Sequence, residues 1–146
     1  MKKFVFSLQA WYDMQLGLEK QHKLQIGLIE ANINRLKDDL AVLNRGYDKT
    51  KVEYSGAVTK GMIAPHVQHY GSFFDSSKAA MAAVMEQIGK LEREKEHWMQ
   101  KLVHVRREIK LLDKLRETQY TEYLGEIKKE QSKLIDDLVS YKVTVS

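Results

Sequence analysis

The sequence predicts an all-α protein folded as one long two-helix antiparallel coiled-coil hairpin, and three observations carry that expectation. Apolar residues recur three and four positions apart over two long stretches, as the buried stripe of a paired helix requires. Helix breakers are concentrated: Pro65, the single proline, lies with Gly56, Gly61 and Gly71 of the eight glycines in one segment between those stretches. Charged residues make up 30% of the 146-residue chain, which suits helices solvated over most of their surface better than a compact globule.

The first helix is expected over about residues 5–54. It opens with Leu8, Trp11, Gln15 and Leu18, then steps through His22 with a spacing of four plus four, a stutter that locally unwinds a supercoil without ending the helix. Ile26, Ile29, Ile33, Leu36 and Leu40 follow as an uninterrupted heptad seam that runs on through Leu43 and Tyr47. The connector is expected over about residues 55–76, where that pattern fails. Asp75, Ser76 and Ser77 offer side-chain oxygens to cap a second helix over about residues 77–141. Its seam comprises Ile88, Leu91, Trp98, Leu102, Val105, Ile109 and Leu112. After the polar Arg116 and Gln119 it resumes at Tyr123 and, one residue out of step, at Ile127, Leu134, Leu138 and Tyr141, with a frayed tail beyond. The whole chain, 1–146, reads as a single hairpin domain. A longer parallel or dimeric coiled coil is the competing architecture. The second helix outruns the first by roughly one to two dozen residues, an overhang that is bare, docked to a partner or paired in an oligomer.

Composition excludes several function classes. Lys and Arg number 24 against 20 Asp and Glu, and the net charge of +4 is a small surplus on a mixed-sign surface. The basic run Arg106, Arg107, Lys110, Lys114 and Arg116 is interrupted by Glu108, Asp113 and Glu117, the pattern of a solvated helix face and not of a phosphate-binding stripe, so no nucleic acid is expected. No cysteine is present for a disulfide, a thiolate metal site or a thiol nucleophile. No apolar run reaches membrane-span length, and Gln9, Asp13 and Gln15 interrupt any signal-like start. Glu19 with His22 and Glu94 with His97 have the Glu-x-x-His spacing of carboxylate-bridged metal bundles, yet a hairpin turning near Pro65 sets the two pairs too far apart to share an ion. His66 and His69 lack a third ligand. With no phosphate loop and no catalytic triad context, neither catalysis nor a cofactor is expected. Trp11 and Trp98 are expected as core knobs, and Tyr54, Tyr70, Phe73 and Phe74 as an exposed aromatic docking cluster.

Lys3-Phe4-Val5-Phe6-Ser7-Leu8, then Gly61 and Tyr70-x-x-Phe73, and finally Lys110-Leu111-Leu112-Asp113-Lys114-Leu115-Arg116-Glu117-Thr118-Gln119, occur in an order and at a spacing that resemble the flagellar FliJ family. The resemblance covers nearly the full chain. It implies a non-enzymatic component of flagellar type III protein export, cytoplasmic and sited at the base of the export apparatus. Such a protein is a coiled-coil stalk that enters the export ATPase hexamer, touches the cytoplasmic domain of the export gate and escorts export chaperones. The gate surface it implies lies near the turn, at Leu43, Tyr47, Phe73, Phe74 and Ala80. Thr50 and Ser77 stand where the family tends to have an aromatic and a bulky apolar residue, so gate contact is expected to be weaker or shifted to Tyr54 and Phe74. The ATPase surface it implies lies where the termini meet, at Phe4, Phe6, Leu8, Leu138 and Tyr141, residues that serve equally well as a hydrophobic clasp. The readings that compete are an injectisome stalk, a generic coiled-coil adaptor and a nucleic-acid-binding hairpin.

Overall fold

A computed structural model describes residues 2–145, and two helices account for nearly all of them: α1, Gln9–Lys60, and α2, Ala64–Val145. No strand occurs among the described residues. The all-α class and the two-helix hairpin expected from the heptads are therefore what the chain forms. It divides into two compact units, each built from a stretch of α1 against a stretch of α2: Met1–Gln21 with Leu102–Ser146, and His22–Lys101.

The turn is far shorter than the breaker segment suggests. The expected connector over 55–76 contracts to residues 61–63, α1 continuing past Gly56 to Lys60 and α2 beginning before Gly71. Gly61 takes φ of +91°, a conformation that L side chains resist, and its N–H donates to the Val58 carbonyl at 3.1 Å to close the end of α1. The Ile63 carbonyl accepts from His66 and Val67 N–H at 3.1 and 3.3 Å, which starts α2. Pro65 falls in that first turn, where its missing N–H deletes no helical bond. Asp75, Ser76 and Ser77 are accordingly mid-helix residues and not caps. A Cβ at position 61 would meet nothing within 4 Å, so Gly61→Ala tests the backbone alone. It should cost about 1–2 kcal/mol in denaturant unfolding.

The first helix begins at Gln9 instead of near residue 5, and the second reaches Val145 instead of ending near residue 141. Residues 2–6 form a non-helical strap, because Phe4 and Phe6 find partners that a helical path would deny them.

The seams supply the core. In the second unit Ile26, Ile29, Ile33 and Leu36 of α1 are buried, Ile29 to 3% exposure, while Leu40, Ile88, Leu91 and Trp98 are half-buried. In the first unit Phe6, Gln15, Leu102, Val105 and Leu112 are buried and Ile109 is half-buried. Trp11, expected as a core knob, is instead 48% exposed; its neighbour Tyr12 turns inward against Phe6, with ring centroids 6.5 Å apart. Glu30 with Lys95 at 3.2 Å and Glu19 with Arg106 at 3.5 Å tie the two helices together within their units. At this exposure such pairs fix register more than they stabilise.

Candidate interaction surfaces

Near the turn, in the second unit, the aromatic residues expected as an exposed cluster are mostly interior. Phe74 packs edge-on against Tyr47 (centroids 5.2 Å) and Tyr54 (5.8 Å), and Tyr54 tilts against Tyr70 at 5.3 Å. All four rings are half-buried. They are the core of the hairpin at this level, since each crosses from one helix to the other where two stripes alone bury little. Phe73 differs: among the described residues its one ring contact is with Phe74, edge-on at 5.9 Å, and it is 37% exposed. Leu43 and Ala80 are half-buried on this stretch. Of the residues the resemblance implies for the gate, Phe73 therefore presents the freest ring.

The same unit also leaves apolar side chains open on both sides of the turn that seam reasoning passed over: Val52, Val58, Ile63 and Val67, 74, 51, 61 and 42% exposed. Val52 and Val58 fall off the heptad stripe of α1, whereas Ile63 and Val67 continue the α2 stripe back from Val84, Met81, Phe74 and Tyr70 into the segment where no seam was expected. For Val58, Ile63 and Val67 the available signal was β-branched residues persisting within the segment expected as a connector.

Where strap and helix meet, in the first unit, Phe4 sits edge-on to Tyr120 at 5.1 Å and tilted to Tyr123 at 5.5 Å. The Tyr123 hydroxyl donates to the Lys2 carbonyl. Gln119 grips Ser7 twice, its Oε1 accepting from the backbone N–H at 3.3 Å and its Nε2 donating to the hydroxyl oxygen at 2.9 Å. An open groove of about 480 Å³ runs between this strap and the Glu122 and Glu126 face of α2. Phe6 is buried to 5% and so belongs to the clasp, whereas Leu138 and Tyr141 are 57% and 67% exposed. Phe4 and Leu8 are half-buried. The residues implied for the ATPase are thus divided between an internal clasp and a bare helix face.

Polar chemistry is sparse. The Asp113 carboxylate accepts from the Tyr12 hydroxyl and, with partial burial and its own charge, raises the tyrosine above its ordinary value. A tyrosine raised in the folded state stabilises fully below its unfolded value, about pH 10, and loses that contribution as pH climbs through the higher folded value. Tyr12→Phe should therefore lower the melting temperature by a few degrees at neutral pH, with the difference from the parent protein vanishing well above pH 10. The His22 ring lies 5.4 Å from Trp98, and its Nδ1 is buried without a hydrogen-bond partner. Among the described residues no group of three or more His, Asp or Glu side chains is placed to hold a metal ion. No described helix is long and apolar enough to cross a membrane.

A family model described as Flagellar FliJ protein matches residues 6–145. No curated protein and no solved structure matches the chain.

Proposed function

We propose, from the premise that the chain belongs to the flagellar FliJ family, that it is the stalk of a flagellar export apparatus. On this reading it is a non-enzymatic rod that contacts the export ATPase ring at its strap end and the export gate near its turn, and that also engages export chaperones. The observation that carries the reading is the family match across nearly the whole length of a two-helix hairpin. The physics suits the role. Two paired helices are stiff, so a push received at one level is delivered at another, which a flexible linker would dissipate. A mixed-charge surface favours contacts that form and release over a permanent apolar interface. The strap, Leu138 and Tyr141 are the ring-facing candidates, and Phe73 is the gate-facing one. The site of action would be the cytoplasmic base of the flagellum, reached through protein partners.

Mixing the full chain with the flagellar export ATPase is the test. Added chain should promote ATPase hexamers in sedimentation and raise ATP hydrolysis together. If neither quantity responds at saturating chain, the stalk reading fails.

A further inference from the structure

The final stretch of α2 has a stripe with nothing on it. Every residue from Lys128 to Val145 is exposed, although Leu134, Leu138 and Tyr141 continue the three-and-four spacing of a seam and stand 63, 57 and 67% open. The strap packs on Tyr123 and its groove runs along α2 past Ile127 to Glu130; Ile127 is the last half-buried residue, so the stripe is covered up to that point and bare after it. We propose that this segment pairs in parallel with the same segment of a second copy, as a short two-stranded coiled coil over about residues 127–145.

The assignment to a second copy, and to a parallel one, rests on residues at defined heptad positions. With Ile127, Leu134 and Tyr141 at d, the a positions fall on Gln131, Leu138 and Val145. In a parallel pair, Gln131 faces its own equivalent, and its amide can satisfy the identical amide opposite. A single polar a residue is a known device for fixing register and strand number. The flanking charges agree. Asp137 at g faces Lys142 at e of the other chain, twice by symmetry, giving two opposite-sign pairs. An antiparallel pair over the same residues places Lys128 beside Lys142, Asp137 beside Asp137 and the Gln131 amide against the Tyr141 ring, three mismatches the parallel pair avoids. Ile135 at e, 60% exposed, widens the apolar stripe on the paired side. The segment is short, so the dimer should be weak and concentration-dependent.

Sedimentation equilibrium on the full chain alone, from about 1 µM to about 1 mM, is the first measurement. A monomer–dimer equilibrium is expected, and Leu134→Asp with Leu138→Asp should raise its dissociation constant at least ~100-fold while circular dichroism keeps the helix content. A strictly monomeric chain at the upper concentration overturns the proposal, as does a dimer indifferent to the double substitution. Orientation is read separately, because the sequence has no cysteine of its own. Gln131→Cys should oxidise to a covalent dimer, whereas cross-linking only between Gln131→Cys and Tyr141→Cys chains would overturn the parallel arrangement. No ATPase enters these experiments, so a failed dimer leaves the export reading untouched, and a failed ATPase test leaves the dimer untouched. A confirmed dimer assigns Leu138 and Tyr141 to the second copy and leaves the strap as the ring-facing candidate.

Discussion

Replacing Ile29 and Ile33 together by alanine should cost the second unit about 4–6 kcal/mol, the largest loss expected from any pair of conservative substitutions. Both side chains are nearly closed to solvent, at 3% and 5% exposure, and both lie on the heptad seam one turn apart. Each truncation removes apolar surface and leaves a void that two long helices can only partly close, for which about 2–3 kcal/mol apiece is the lower end of the usual range. The lower end applies because a two-helix seam is lined on two sides by water, which can enter the space. Adjacent positions also share neighbours, so the two costs need not add. Against a total stability of the order of 5–15 kcal/mol, the loss is large. Urea unfolding followed by circular dichroism should show the midpoint falling sharply, and amide exchange should accelerate between residues 22 and 101. An unchanged midpoint would mean that Ile29 and Ile33 do not face α2.

The seam was legible because its physics is local and repetitive: a stripe of Ile and Leu at heptad spacing has one stable use, which is to face another helix. Ile26 to Leu36 and Leu102 to Leu112 appear as such in the bare sequence. What was not legible depends on contacts between distant residues. Gly56 and Gly71 each weaken a helix by about 1 kcal/mol, and counted alone they argue for a loop. The balance is reversed by Tyr47 meeting Phe74 and Tyr54 meeting Tyr70, pairings that exist only after the chain has reversed at Gly61. The strap follows the same rule. Gln119 is 112 positions from Ser7, and nothing near either residue announces the other. Trp11 and Tyr12 show a finer limit. Both adjoin the stripe, and periodicity favoured the tryptophan, yet the hydroxyl of Tyr12 has Asp113 to receive it. That bond lets the smaller aromatic lie inward while Trp11 remains 48% exposed. Of the implied partner residues, sequence could supply only neighbourhoods, because exposure separates a docking ring from a core ring and exposure is a property of the fold.

Phe74→Ala and Phe73→Ala, one residue apart in the same helix, should behave oppositely. Phe74 touches Tyr47, Tyr54, Tyr70 and Phe73, and no other ring holds so many partners. Its removal should cost about 3 kcal/mol, from lost buried area and from edge-to-face contacts worth roughly 0.5–1.5 kcal/mol each. The loss should fall on the helix ends around the turn, where Gly56, Gly61 and Gly71 leave little intrinsic helical preference to resist it. Amide protection over residues 52–74 should drop, and the near-ultraviolet dichroism of the packed tyrosines should weaken. Phe73→Ala, by contrast, removes a ring that is 37% exposed with Phe74 as its single ring neighbour, so stability should move by no more than about 0.5–1 kcal/mol. If the turn region is the gate-facing surface, binding to the cytoplasmic domain of the export gate should fall in Phe73→Ala at unchanged helicity. In Phe74→Ala it should fall only together with the protection of the turn. Equal protection in both variants would show that the cluster does not hold the turn. Full gate binding by a well-folded Phe73→Ala chain would remove that ring from the docking surface.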